Sequence, residues 1–254
     1  MILELDLTPF FLIFVRISCF FITAPIISFN QVPTRVKAGL ALFLSLIIFQ
    51  TYPIENVEYQ TVIGFFTLII REGITGIFLG YITNLCYYIL AFAGGLIDME
   101  IGFSMANVLD PATNIRATIT ANYYTYMVIL MMLITNLHHH FIVAIIDSFK
   151  VVPLGGGQIQ NNLFELAVKI LRDYFIIGFR IILPFFAAIL IVNVLLGILI
   201  KVVPQLNMFV IGIQLKIIVG LSILFILVGT LPTISEYIFD KMFEMFRLAI
   251  EVLQ

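Results

Sequence analysis

Long apolar runs alternate with short polar breaks along the whole chain. A helix rising 1.5 Å per residue needs about 20 apolar residues to cross a hydrocarbon layer of ~30 Å. Phe10 to Phe29, Gly73 to Ala93, Ile119 to Leu137, Tyr174 to Ile200 and Leu206 to Leu231 all approach or exceed that length. Val36 to Phe49 and Phe141 to Val152 fall short of it and suit half-helices or short helices packed in protein. Ile234 to Gln254 differs in kind. There Glu236, Asp240, Glu244, Arg247 and Glu251 recur at steps of four, four, three and four, leaving Ile238, Met242, Phe246 and Ile250 on another face. The pattern predicts an all-α polytopic membrane protein that ends in an amphipathic helix, lying on a membrane or on a partner.

Turn chemistry marks the breaks at Asn30 to Thr34, Thr51 to Gln60, Gly94 to Asn114 and Pro153 to Asn162, the last with a triple glycine that reads as a flexible linker. No soluble domain stands out. The first block does not read as a cleaved leader, because Glu4 and Asp6 precede it where positive charge is wanted. Loop charge resists a plain serpentine: Arg35 and Lys37 favour a cytoplasmic first loop, while Lys150, Lys169 and Arg172 fall where simple alternation would place them outside.

Composition sharpens the picture. Of 254 residues 62% are hydrophobic, which excludes an ordinary soluble domain, and a net charge of -2 leaves no basic stripe for nucleic acid. Arg16, Arg71 beside Glu72, Arg180 and Lys216 nevertheless lie within or beside apolar runs. A charge at the bilayer centre costs at least ~2.5 kcal/mol. Either Arg71 and Glu72 cap a helix at the interface while Arg16 and Lys216 snorkel, or these blocks meet protein and water. Gly73, Gly76 and Gly80 recur at helical spacing and allow close approach of another helix, from this chain or from a partner.

The candidate chemistry is sparse. His138-His139-His140 invites a metal, yet consecutive helical residues point about 100° apart and suit one tetrahedral ion poorly, so a polar turn between helices is the other reading. Gly155-Gly156-Gly157-Gln158 lacks the Lys and Ser/Thr of a phosphate loop. Cys19 and Cys86 sit in apolar blocks as small hydrophobes. No catalytic constellation, cofactor motif or metal set is expected.

The segment GFSMANVLDPATN, Gly102 to Asn114, is too polar for lipid and too apolar for open water. Asp98, Glu100, Asp110 and Arg116 bound it, Gly102 and Pro111 shape it, and Phe103, Met105, Val108 and Leu109 give it bulk. It fits a protein-lined passage filled by Met and Phe, or a connection packed on its own helices.

Several stretches resemble the FliR family of flagellar type III export-gate proteins and its injectisome counterparts, the SctT family. Arg16 to Ile26 is followed at the family's spacing by Val32 to Leu42, and Gly102, Ser104, Ala106, Asp110 and Pro111 fit a G-x-S-x-A-x-x-x-D-P run. Asn136, His138, Asp147 to Phe149 and Pro153 match a third region. Leu183-Pro184, Asn193, Leu196-Gly197, Pro204 to Asn207, Phe209, Gly212, Lys216 and Gly220 match a fourth. Leu137 stands where the family has glycine. Gln214 replaces a helix-bending proline, so the resemblance carries no kink to Gly212.

The resemblance implies bent helical hairpins that assemble with FliP and FliQ into a helical export gate, contacted by FlhB and partly lifted out of the bacterial inner membrane. Unfolded flagellar proteins would cross through it, with lipid as a further neighbour. It implies one family domain over 1–254: N-terminal hairpins at 1–93, a plug-bearing loop at 94–118, middle helices and the glycine-rich loop at 119–173, a FliQ-like hairpin at 174–231 and the amphipathic helix at 232–254. Gly102, Phe103, Ser104, Met105, Val108, Leu109, Asp110 and Pro111 would form the channel plug. Arg16, Arg35, Lys37, Arg71, Glu72, Asn193, Pro204, Gln205 and Lys216 would serve assembly as buried polar groups. An injectisome gate and a secondary transporter with broken helices are the competing expectations.

Overall fold

The computed structural model describes residues 7–24, 32–51, 61–103, 118–157, 163–205 and 207–253. Every regular element among them is helical: α1 (Thr8–Thr23), α2 (Thr34–Thr51), α3 (Val62–Ile101), α4 (Ile119–Ile134), α5 (His138–Val151), α6 (Leu163–Val202), α7 (Met208–Leu227) and α8 (Leu231–Val252). One 3₁₀ turn, Val228–Thr230, joins the last two. Four helical stretches are long and apolar enough to cross a membrane, Thr34–Thr51, Val62–Ile101, Phe164–Val202 and Val210–Val252, and α4 with α5 makes a fifth if that pair is one broken span. The protein is an all-α polytopic membrane protein.

The boundaries differ from the apolar blocks where helix outruns hydrophobicity. α2 takes in Thr34, Arg35, Gln50 and Thr51 and reaches 18 residues, enough for a span, because polar residues at helix ends propagate the backbone ladder at little cost. α3 and α6 are each 40 residues long for the same reason. α1 has only 16 residues and is too short to cross alone; the remainder of its block, 25–29, lies outside the described residues.

The chain forms two compact units. The first comprises Met1–Cys86, Asn136–Leu171 and Phe239–Gln254. α1 is its centre: Pro9, Leu12, Ile13, Arg16, Ile17, Phe20 and Phe21 are buried at alternating steps of three and one, the stripe of a helix covered on one side. The glycine stripe of α3 receives it. A Cβ on Gly76 would strike the Arg16 carbonyl and lie 3.0 Å from Cys19 Cβ, and one on Gly80 would strike the Thr23 hydroxyl and lie 2.8 Å from the Phe20 carbonyl. The small residues therefore pack the chain against itself. α8 adds Met242, Met245, Phe246, Ala249 and Ile250, with Phe246 edge-on to Phe20 at 6.3 Å. Its polar positions Asp240, Arg247 and Glu251 are exposed and Glu244 is half-exposed, as the periodicity predicts.

The second unit comprises Tyr87–Thr135 and Arg172–Ile238. Ile89, Ala93, Ile97 and Ile101 of α3 are buried at steps of four. Phe92 packs edge-on to Phe175 at 5.5 Å and to Phe179 at 6.2 Å, beside Gly178, where a Cβ would sit 2.9 Å from the ring. Pro184 lies inside α6, which continues through it. α7 likewise runs unbroken through Gly212 and Gln214. A proline at 214 would have removed a backbone donor; glutamine keeps it.

α4 and α5 meet at a bend of 77°. Asn136 makes it, at φ 57° in the left-handed region, where asparagine is the best tolerated residue after glycine. The three histidines are the first residues of α5, so the polar turn expected there is Asn136-Leu137 instead. The His138 and His139 rings stack at 4.1 Å.

Candidate functional site

Two polar constructions stand in these apolar helices. The first, in the first unit, is built on Arg16. Its side chain is 1% exposed and pairs in a two-pronged manner with Glu72, Nε donating to Oε2 at 2.5 Å and Nη2 to Oε1 at 3.0 Å. Nη1 donates to the carbonyls of Val152 at 3.0 Å and Ser148 at 3.3 Å, and the guanidinium carbon lies 4.3 Å over the Phe149 ring. Glu72 Oε1 also accepts the Gly155 N–H at 2.7 Å, and Arg71 Nη1 donates to the Gly155 carbonyl at 3.1 Å. Gly155 has φ 74°, which a Cβ would oppose.

Two expectations are corrected here. Arg16 does not snorkel, and Arg71 and Glu72 cap no helix end: they sit within α3, and the start of the triple-glycine segment is held by them and is no free linker. Sequence reasoning missed Gly155 as the partner, although an arginine-glutamate pair in an apolar helix must be satisfied by something. Among the described residues no group of three His, Cys, Asp or Glu side chains is placed to hold a metal.

The second construction, in the second unit, lies at the two ends of the connection that contains Gly102 to Asn114. α3 ends in a turn at Gly102, φ 99°, whose N–H donates to the Asp98 carbonyl at 3.1 Å. The Asp98 side chain is buried, and its two oxygens accept the Thr120 N–H at 3.2 and 3.3 Å. Oδ1 also accepts the Thr120 hydroxyl. A Cβ on Gly94 would run into the Ala121 backbone. The first and last described residues of the connection, Phe103 and Thr118, are thus anchored one turn from a shared contact. Of the expected plug residues, Gly102 and Phe103 are half-buried, whereas Ser104, Met105, Val108, Leu109, Asp110 and Pro111 lie outside the described residues. Asp98 was legible only as a charge bounding the segment.

Comparison with known proteins decides the lineage. A family model described as bacterial export proteins, family 1, matches residues 7–242. The chain belongs to that family. Within it, the chain is 32% identical over 251 residues to a flagellar biosynthetic protein FliR of Bacillus subtilis (strain 168), covering 96% of this chain and 95% of the relative. It is 31% identical over 232 residues to the Escherichia coli (strain K12) protein of the same name, covering 91% and 88%. The Pectobacterium carotovorum relative, also called flagellar biosynthetic protein FliR, is 29% identical over 238 residues, covering 94% and 91%.

The other family-matched polar residues of this export protein are scattered. Arg35 is exposed and Lys37 half-buried at the start of α2. Asn193 is exposed on α6 among exposed Ile191, Val194 and Leu195, and Pro204 and Gln205 are exposed in the turn before α7. Lys216 is half-buried midway along α7. Only Arg16, Arg71 and Glu72 of the nominated set are brought together.

Proposed function

We propose that this chain is a subunit of the flagellar type III protein export gate, forming with FliP and FliQ, and in contact with FlhB, the channel through which unfolded flagellar proteins cross the inner membrane. The observation that carries the reading is the family match over residues 7–242. Relatives that share nearly the full length and carry the flagellar name favour the flagellar over the injectisome system. Faces of α6 and α7 that bear Asn193 and Lys216 among exposed aliphatic side chains support burial by sister subunits, since lipid satisfies neither group. Gly102 to Pro111 would be the plug: Phe103, Met105, Val108 and Leu109 fill the bore, and Gly102 and Pro111 set its turns. A conduit for unfolded chains needs weak contact with any side chain, which Met and Phe provide.

Co-expression with FliP and FliQ partners followed by extraction in mild detergent tests the reading. Native mass measurement should find the chain in a hetero-oligomer with both. A solitary monomer that transports a small solute in vesicles would overturn it in favour of a transporter.

A further inference from the structure

Two cations of α6, Arg180 and Lys201, bracket an apolar stretch, Ile181 to Ile200, in which Asn193 has the one polar side chain. At 1.5 Å per residue that stretch is ~30 Å long, the thickness of a hydrocarbon layer. The register puts Arg180 at the level of the lipid headgroups rather than at the bilayer centre. Tyr174 and Tyr237 supply the amphipathic rings expected at that level, and Tyr237 directly follows Glu236, the first charged residue after Lys216.

The geometry leaves Arg180 with a vacant edge. Its Nη1 donates to the Tyr237 hydroxyl at 3.0 Å, and its guanidinium carbon lies 5.6 Å from the centre of the Tyr237 ring, both residues belonging to the second unit. Among the described residues Arg180 makes no ion pair, with Glu236 or any other acid, and its Nε and Nη2 have no partner. In Arg16 that same Nε–Nη2 edge is filled by the two oxygens of Glu72. A guanidinium edge matches a phosphate in the same two-pronged manner. From Arg180 a line of exposed apolar residues runs toward Lys201, namely Leu183, Ala187, Leu190 and Val194, at steps of three and four. Asn193, whose face is read above as covered by sister subunits, lies ~140° round the helix from Arg180.

We propose that Arg180 and Tyr237 form a phospholipid headgroup site. Nε and Nη2 of Arg180 take two oxygens of the phosphate diester, Tyr237 holds the guanidinium so that this edge faces outward, and an acyl chain lies along Leu183, Ala187 and Leu190. The site goes beyond the gate reading and does not depend on it.

The test uses the full-length chain, co-expressed with FliP and FliQ partners, released in mild detergent and titrated with a phosphatidylglycerol. Adducts are read by native mass on the chain, whether it emerges alone or assembled, so failure of the gate reading is seen separately. Diacylglycerol with the same acyl chains and inorganic phosphate are titrated alongside. Arg180→Gln should bind the phospholipid roughly tenfold or more weakly. Arg180→Lys, a point charge without the fork, should fall between. Tyr237→Phe should bind several-fold more weakly, and Arg247→Gln, which removes an exposed charge elsewhere, should change nothing. Equal binding by Arg180→Gln would overturn the site, as would an equal loss in Arg247→Gln, which would mark a general charge effect. Diacylglycerol retained as well as the phospholipid would reduce it to acyl packing, and inorganic phosphate bound as well as the lipid would assign it to free phosphate; either overturns the proposal. So would a fall in gate yield for Arg180→Gln with lipid binding intact, which would place a sister subunit's carboxylate on the guanidinium. Where Arg180→Gln is not recovered, Arg180→Lys and Tyr237→Phe decide: weakened binding in either supports the site, and unchanged binding in both overturns it.

Discussion

Arg16 has five N–H donors, and Glu72 and the carbonyls of Ser148, Val152 and Pro153 stand within reach of all three nitrogens. A buried pair so fully bonded tolerates removal of one partner badly, because the survivor's charge remains in the interior. Glu72→Gln should therefore cost about 3 kcal/mol or more. The double change Arg16→Met with Glu72→Met should cost clearly less than the two single changes added, read from unfolding in a common detergent. Additive costs would mean that the two side chains act independently. At this scale the sequence exposed the problem and hid its solution. Charges in apolar runs are visible as costs, but which carbonyls and which glycine N–H repay them depends on contacts more than 80 residues apart along the chain, such as Glu72 with Gly155. Asp98 was hidden for the same reason: its partner Thr120 lies across a connection whose length does not reveal that its ends meet.

Helices, by contrast, were readable wherever one face differs from another. The buried Ile238, Met242, Phe246 and Ile250 of α8 follow directly from its charge spacing. Helix ends were less readable, because polar residues such as Arg35 and Gln50 extend α2 beyond its apolar stretch. The glycine stripe of α3 announced a close approach without naming the approaching helix, which is α1. Gly76→Val should force α1 and α3 apart and cost about 1–3 kcal/mol of stability. Gly39→Ala in α2, where no atom lies within 4 Å of the added carbon, should be neutral or stabilising by up to about 1 kcal/mol. Equal losses at the two sites would refute the packing account. At the bend between α4 and α5, Asn136→Gly should be nearly silent while Asn136→Val costs about 1–2 kcal/mol, since a β-branched residue resists φ 57°. Thermal melting of the detergent-extracted chain reads all four.

For the whole molecule, periodicity did not decide the role of the 102–114 segment: physics alone left a passage filler and a packed connection equally open. Lys216 is a half-buried ammonium on a strongly apolar helix, with no partner among the described residues. Lys216→Met removes a cost of at least ~2.5 kcal/mol for placing that charge in lipid. Insertion of the lone chain should then be unimpaired or improved, whereas the yield of the assembled gate should fall if a sister subunit supplies the counter-charge; unchanged gate yield would exclude that role. The self-packing of Gly73, Gly76 and Gly80 has a genetic corollary. Damage caused by a bulky residue at Gly76 should be repaired by second-site changes that shrink side chains of α1 within this same gene. Where a sister subunit covers Gly197, whose added Cβ would meet nothing within 4 Å among the described residues, damage there should instead be repaired by changes in that subunit's gene, so the map of suppressors would trace which surfaces the protein keeps for itself and which it lends out.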